Sequence, residues 1–364
     1  MLRKARLFFA PFFIQWLIIG IIYLNFQPEK LEDANSKKYP MTVTPSRRNL
    51  FFQQPQKSFR YLIVRYLSND LPPLHSENQT FLSTKFIVEN EKLPKNFYRL
   101  WILHSIIDGE KLRKLIKLLK EHSEWFFINQ IDRSLSLRGL YRGSFNVNRA
   151  RNLGLEIGFE HGADWVFLLD GCTFVTNDSL NLLSSFVQKE KSHVIHFTPT
   201  VRLEQLVTLN SNLSYDHLFP FFTGLQEAHI GIKREFYVQQ SRIESRSGLK
   251  FFPEGKLYGN RDKLQLLGRL FSELGEDQIH CRSVFIGYHR TKSKSPTDDY
   301  DIIRECGFAI RLPYYLDDSA PIDQHIPQKW RQRRRNLSIK NFVKKLEKIE
   351  DNFIWDKVFG PKIQ

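Results

Sequence analysis

The sequence predicts an α/β fold: a mostly parallel central sheet flanked by helices, preceded by a transmembrane helix. Three observations carry this. From Tyr61 to Asp170 short apolar runs alternate with amphipathic stretches in the order β-α-β-α-β-α-β, the alternation of a doubly wound sheet. The run WVFLLD, Trp165 to Asp170, has no polar face, as suits a strand covered on both sides. Leu7 to Phe26 is a mostly apolar stretch of 20 residues without a charge, long enough to cross a bilayer.

In chain order, Arg3, Lys4 and Arg6 flank the apolar run on its N-terminal side, and no small-residue cleavage pattern follows it. That reads as an uncleaved anchor with its N-terminus in the cytosol. Glu29 to Ser58 is polar, holds Pro40, Pro45 and Pro55 and shows no period, the character of a stem or linker. Residues 1–26 are therefore read as cytosolic tip and anchor, 27–58 as stem, 59–328 as the globular domain and 329–364 as a basic helical extension. Tyr61 to Tyr66 is a strand, stopped by Ser68-Asn69-Asp70 and Leu71-Pro72-Pro73, since prolines force an extended exit. Thr80 to Glu91 is a short helix and Tyr98 to Ile106 a second strand. Glu110 to His122 is a helix with Leu112, Ile116, Leu118 and Leu119 on its apolar side. Glu124 to Asn129 is a third strand, and Tyr141-Arg142-Gly143 lies in a loop. Arg149 to His161 is a helix striped by Ala150, Leu153 and Ile157, with Gly162 as its stop. Beyond Thr176 the pattern gives a helix over Leu180–Lys189 and strands over His193–Thr198 and His229–Lys233. It then gives a helix over Asp262–Leu274, a strand over Phe308–Leu312 and a helix over Asn341–Ile349.

Of 364 residues 41% are hydrophobic and 14% aromatic, and the net charge is +15. The basic balance favours anionic partners. With no zinc-finger spacing, RNP-like aromatic motif or basic heptads, nucleic acid is not expected among them. From Lys329 onward 11 Lys and Arg stand against 4 Asp and Glu, and the bland reading of that tail, with its Arg331-x-Arg333-Arg334-Arg335 cluster, is a solvated basic face. Cys172, Cys281 and Cys306 are too few for a disulfide scaffold; one pair plus a thiol, or three thiols, are both open. Sequons stand at Asn78, Asn177, Asn212 and Asn336; a glycan on Asn177 would crowd the adjacent loop and is not expected.

The central stretch pairs Asn148-x-Ala150-Arg151-Asn152-x-Gly154 with a strand ending Leu169-Asp170-Gly171. With Asn69-Asp70-Leu71-Pro72-Pro73 upstream, and Glu227-Ala228-His229-Ile230 and Tyr258-Gly259-x-x-Asp262-Lys263 downstream, it resembles the nucleotide-sugar glycosyltransferases of the GT-A fold, broadly the family-2 type. The resemblance covers Tyr61 to Leu312. It implies a GT-A-like, Rossmann-related sheet, a hexosyltransferase-type activity, a nucleotide-sugar donor and a glycan, protein or lipid acceptor. It also implies a divalent metal, Mn²⁺ or Mg²⁺, on an Asp-x-Asp motif, and a Golgi or ER type II membrane protein whose domain is lumenal. A bacterial membrane protein is the alternative setting. Here the motif is Asp170-Gly171-Cys172, and a thiol is a poor ligand for such ions. A catalytically inactive GT-A-like protein that binds a glycan or protein partner is the alternative reading.

Asp170, at the carboxyl end of its strand, is placed where open α/β sheets bind ligands and is the metal candidate. Asn69, Asp70, Arg151 and Asn152 join it as donor-binding candidates, an Arg near a helix N-terminus suiting a diphosphate. Glu227 is the candidate base, with His229 on the same strand face and also able to help hold the metal. Asp262, and Glu276-Asp277-Gln278, are rivals for the base.

Overall fold

A computed structural model describes residues 50–52, 59–73, 75–130, 136–144, 146–189, 191–203, 209, 212–225, 229–239, 252, 274, 276–281, 296–312, 316 and 328–348. All belong to one compact unit, Asn49–Gln364. Among them no helix is long and apolar enough to cross a membrane. The apolar run Leu7–Phe26, the predicted helix Asp262–Leu274 apart from Leu274, Glu227 and Asp262 lie outside the described residues.

The strands are β1 (Leu50–Phe52), β2 (Tyr61–Leu67), β3 (Phe97–His104), β4 (Trp125–Asn129), β5 (Trp165–Asp170), β6 (Thr173–Val175), β7 (Ile195–Thr198), β8 (Thr200–Leu203), β9 (Phe222–Leu225), β10 (His229–Lys233), β11 (Ile279–His280) and β12 (Ala309–Arg311). Among the described residues the helices are α1 (Gln79–Asn90), α2 (Gly109–Glu121), α3 (Leu137–Ser144), α4 (Val147–Glu160), α5 (Asn177–Lys189), α6 (Tyr215–Leu218), α7 (Pro296–Cys306) and α8 (Gln328–Leu346). Eight strands form the main sheet in the order β1-β4-β3-β2-β5-β10-β7-β11, and β6-β12-β8-β9 form a smaller one.

The block β4-β3-β2-β5 is parallel, as the alternation predicts. Two departures make the sheet mixed. β10 is inserted antiparallel between β5 and β7. β1, inside the stretch read as stem, closes the far edge antiparallel to β4. Strand order runs from β2 through β3 to β4 on one side and then crosses to β5 on the other. The gap between the carboxyl ends of β2 and β5 is thus the topological switch point, where open α/β sheets bind ligands.

Both sheet faces are buried. Leu62, Val64, Val166 and Leu168 pack with Ala150, Leu155 and Ile157 of α4 on one face. On the other, Trp101, Leu103 and Phe126 meet Leu112, Leu115 and Leu119 of α2, while Ile63 and Phe167 meet Leu180 and Leu183 of α5. α4 lies unusually close to the sheet because two of its residues have no side chain. A Cβ on Gly154 would stand 2.5 Å from Val64 Cγ1, and one on Gly158 2.6 Å from Val166 Cγ2. Asn146 caps α4 by accepting from the Arg149 N–H, and Gly162, at φ +96°, supplies the left-handed exit. Asp108 caps α2 in the same way through the Lys111 N–H.

Two stretches differ from expectation. Tyr141-Arg142-Gly143, read as loop, is the end of helix α3. α8 begins at Gln328, well before the predicted Asn341; its buried side is Ser338, Phe342 and Leu346, residues four apart that share one helix face. Phe342 and Leu346 pack on Leu71 and Ile107, beside Leu140 and Tyr141 of α3. Cys281 and Cys306 form a disulfide, and Cys172 is a free thiol.

Candidate functional site

The parallel β2–β5 ladder sets Tyr66 directly opposite Asp170. Both are the residues at which their strands reach the crevice, and the Tyr66 hydroxyl donates to Asp170 Oδ1. Two cationic or cation-capable groups converge on the same oxygen. Arg151 Nη2 lies 3.8 Å away and His229 Nδ1 4.0 Å away. The carboxylate side chain is 29% exposed, whereas those of Arg151 and His229 are 2% and 3% exposed. The cluster therefore presents one acid to the crevice and backs it with buried groups.

Each backing group is fixed by its element. Arg151 sits in the first turn-and-a-half of α4, donates to Asn148 Oδ1 at 3.0 Å and to the Tyr66 hydroxyl at 3.2 Å. Its guanidinium lies over the Tyr66 and Phe252 rings, a contact that orients a cation without neutralising it. Asn152 does not turn to Asp170. Its amide donates to the Phe252 carbonyl at 2.9 Å and accepts from the Phe252 N–H at 2.8 Å, so it pins the aromatic that covers Arg151. His229 opens β10, whose antiparallel pairing with β5 brings its ring beside the end of that strand.

Asn69 and Asp70 lie at the carboxyl end of β2 but use their side chains on the protein's own loops. Asn69 donates to the Ser105 carbonyl and accepts from the Ile107 N–H. Asp70 accepts from the Thr80 N–H, the Thr80 hydroxyl and Lys111 Nζ. Burial raises the Asp70 carboxyl above its ordinary value, opposed by Lys111 and Thr80. Glu276 and Asp277 fall in a short 3-10 turn before β11, on the strand beyond β10 and β7 from Asp170.

Sequence reading missed the support beneath the loop after Asp170. Arg65, 0% exposed, donates through Nη1 to the carbonyls of Asp170 and Thr173 at 3.1 and 2.6 Å. Its other arm pairs with Glu91, which also takes Arg99 and the Val175 N–H; Arg99 in turn pairs with Glu124. A chain of alternating charge thus runs from the loop into the core, every partner paired, as burial requires. Gly171 makes the loop possible: a Cβ there would stand 2.6 Å from the Tyr66 carbonyl oxygen. Cys172 lies in the same loop, and burial pushes its thiol up to about 11. It stays protonated at neutral pH and is no ligand for Mn²⁺ or Mg²⁺.

Asp170 and His229 come near to the spacing such an ion needs. With ligand bonds of about 2.1 Å, octahedral donors stand about 3.0 Å apart when adjacent and about 4.2 Å when opposite; the two atoms are 4.0 Å apart, so sharing one ion would take a small shift of the His229 ring. Arg151, 3.8 Å from the same oxygen, would face an anion bound there.

No protein-family profile matches the chain, and no curated protein matches it. Solved structures align with it at low similarity. They include 4-diphosphocytidyl-2C-methyl-D-erythritol synthase of Anaerococcus prevotii, at TM-score 0.34 and 11% identity over 61% of this chain and 86% of that one. Mouse xyloside xylosyltransferase 1 aligns at TM-score 0.31 and 14% identity over 71% and 99%. The mannose-1-phosphate geranyltransferase of Thermus thermophilus aligns at 0.29 and 11% over 70% and 74%. At TM-scores of this size the likenesses carry no weight for activity; the side chains gathered at the β2–β5 switch point carry it instead.

Proposed function

We propose that the chain is a glycosyltransferase that moves a sugar from a nucleotide-diphosphate-sugar donor to an acceptor hydroxyl. The observation that supports it is the convergence of Asp170, Arg151 and His229 at the β2–β5 switch point. A diphosphate needs cations that neither move nor shed water when it arrives, and a buried, stacked guanidinium is one. Asp170 and His229 would hold Mn²⁺ or Mg²⁺, which would offset the charge developing on the leaving diphosphate. Tyr66 orients the acid, and Asn152, through Phe252, orients Arg151. Glu227 is the proposed base for the acceptor hydroxyl, with Asp262 and His229 as rivals.

The test is calorimetry with UDP and with GDP, each with and without Mn²⁺. Metal-dependent binding that disappears in Asp170→Asn is expected. A folded protein that binds neither nucleotide would favour a second reading, a non-catalytic GT-A-like protein that binds a glycan or protein partner. Cys172 supports that reading, because the position of a second acid holds a protonated thiol.

For location, the proposal is a type II protein of the Golgi or ER membrane, anchored by residues 7–26. The charge flanking Leu7–Phe26 and the Cys281–Cys306 disulfide support a domain in an oxidising lumen. Protease protection in microsomes checks it: a domain cleaved without detergent would place it on the cytosolic side.

A further inference from the structure

Two and three strands beyond β5, where β7 and β11 form the edge of the main sheet, three metal-ligating residues meet, with the disulfide partner of one of them beside them, at a place the donor site does not use. β11 pairs parallel to β7 with His280 opposite His196, and register partners put their side chains on one face. The two Nδ1 atoms are 2.8 Å apart. Cys281 follows at φ +67°, a left-handed turn that carries its Sγ back to 3.0 Å from His280 Nδ1. The donor atoms of His196, His280 and Cys281 all lie within 4.8 Å of one another. Cys306, the last residue of α7, is bonded to Cys281. The place is dry: His196, Cys281 and Cys306 are buried, and Phe186 stacks on His280 with ring centroids 4.2 Å apart and covers His196 at 4.9 Å.

We infer that Cys281, Cys306, His196 and His280 form a zinc site when the disulfide is reduced. The donor set is two sulfurs and two imidazole nitrogens, the softness and number a tetrahedral zinc takes. With bonds of about 2.0–2.3 Å, tetrahedral donors lie roughly 3.3–3.8 Å apart. The observed spacing brackets that range, and parting the two sulfurs supplies the missing separation. Glu305 Oε1 stands 3.8 Å from His280 Nε2, the side away from the cluster. That is beyond hydrogen-bond length; a small movement of this exposed side chain would let it accept from the Nε2–H and leave the Nδ1 lone pair for the metal. Disulfide and zinc are alternative occupants of the same four residues, each tying α7 to the sheet edge. The redox step balances: a dithiol gives two electrons and two protons to the S–S bond and becomes a disulfide, and the two new thiols release their protons to water as zinc binds. A phosphine does the same, taking its oxygen from water. The inference is independent of the transferase reading.

The test uses the full chain, oxidised or reduced with a phosphine, titrated with Co²⁺ and then with Zn²⁺. Expected for the reduced chain is a thiolate-to-cobalt charge-transfer band with intense tetrahedral d–d bands, both abolished by Zn²⁺. The oxidised chain is expected to show neither. Asp170→Asn leaves the band intact, which separates this site from the donor site. Cys306→Ser and His280→Gln each weaken binding at least tenfold. If the reduced chain is unstable without metal, Zn²⁺ raises its melting temperature. A reduced chain with no thiolate band and no stabilisation by Zn²⁺ would overturn the inference, as would a band unchanged in both Cys306→Ser and His280→Gln.

Discussion

The Tyr66 hydroxyl donates to Asp170 Oδ1 across the β2–β5 ladder, between residues that are register partners. The pair couples two strands at the switch point and gives the carboxylate one fixed rotamer. Replacing the hydroxyl removes a donor to an ionised group, worth about 1.5–3 kcal/mol. Tyr66→Phe keeps the ring over which Arg151 lies. It should therefore weaken Mn²⁺-dependent nucleotide binding by about tenfold or more while far-UV circular dichroism stays unchanged. Equal affinities of variant and parent in calorimetry would remove Tyr66 from the site.

Gly171 faces the Tyr66 backbone as well as the Leu67 side chain. A Cβ at 2.6 Å from the Tyr66 carbonyl and 2.5 Å from Leu67 Cδ2 must push the Asp170 loop off β2. Gly171→Ala should cost about 1–3 kcal/mol in urea unfolding and lower nucleotide affinity with it. Gly162→Ala is the control: nothing lies within 4 Å of its Cβ, and only its φ of +96° makes alanine unfavourable, by about 1 kcal/mol. It should leave affinity alone. Loss of affinity in both would show that global stability, not the loop, is being read.

Much of this is legible in the sequence, and the rest is hidden for physical causes. The α4–β5 unit is readable because its apolar stripe and the run WVFLLD carry period and length in few residues. Asp170 and His229 stand out as chemistry-bearing residues at strand ends, and the fold brings them together. Tyr66 is legible only once β2 and β5 are known to be neighbours, which no local signal encodes. The antiparallel insertion of β10 is hidden for the same reason: HIGIK reads as a strand but carries no direction. α3 reads as loop because Gly139 and Gly143 sit in an eight-residue segment that propensity alone would not fold. Arg65, in YLIVRY, carries no local sign of its role, because its partner Glu91 lies 26 residues away, past the end of α1.

That hidden arginine gives a stability test. Arg65→Met keeps the volume but leaves Glu91 with one fewer cation and the Asp170 and Thr173 carbonyls without their donor. Breaking one partner of a buried pair costs about 3–5 kcal/mol. Arg113→Ala removes one end of an exposed pair with Glu110 and should stay within about 0.5 kcal/mol. Urea midpoints for the two variants check the contrast, and similar small losses in both would mean the buried chain of charges does not hold the loop.

His104, at the end of β3, makes stability depend on pH. Its Nε2–H donates to the Gly143 carbonyl at 3.1 Å and its Nδ1 accepts from Asn129 at 2.8 Å, so the neutral ring is fully satisfied. Burial, and then the nearby Arg149, lower its pKa from 6.5 to about 4, opposed by the Gly143 carbonyl. A lowered histidine is protonated by the unfolded chain first. Its share of stability is complete above about pH 6.5 and falls as pH drops toward 4, by up to about 3 kcal/mol. Burial holds His196 low as well and adds to the loss over the same interval, while the raised Asp70 carboxyl opposes it. The difference between parent and His104→Gln isolates the one ring. The variant is less stable at pH 7.5, where it lacks a good hydrogen-bond pair, yet its unfolding free energy should decline less between pH 6.5 and 4. Parallel declines in chemical denaturation at pH 7.5, 6.5, 5.5 and 4.5 would mean that His104 takes up its proton in the folded protein as readily as in the unfolded chain.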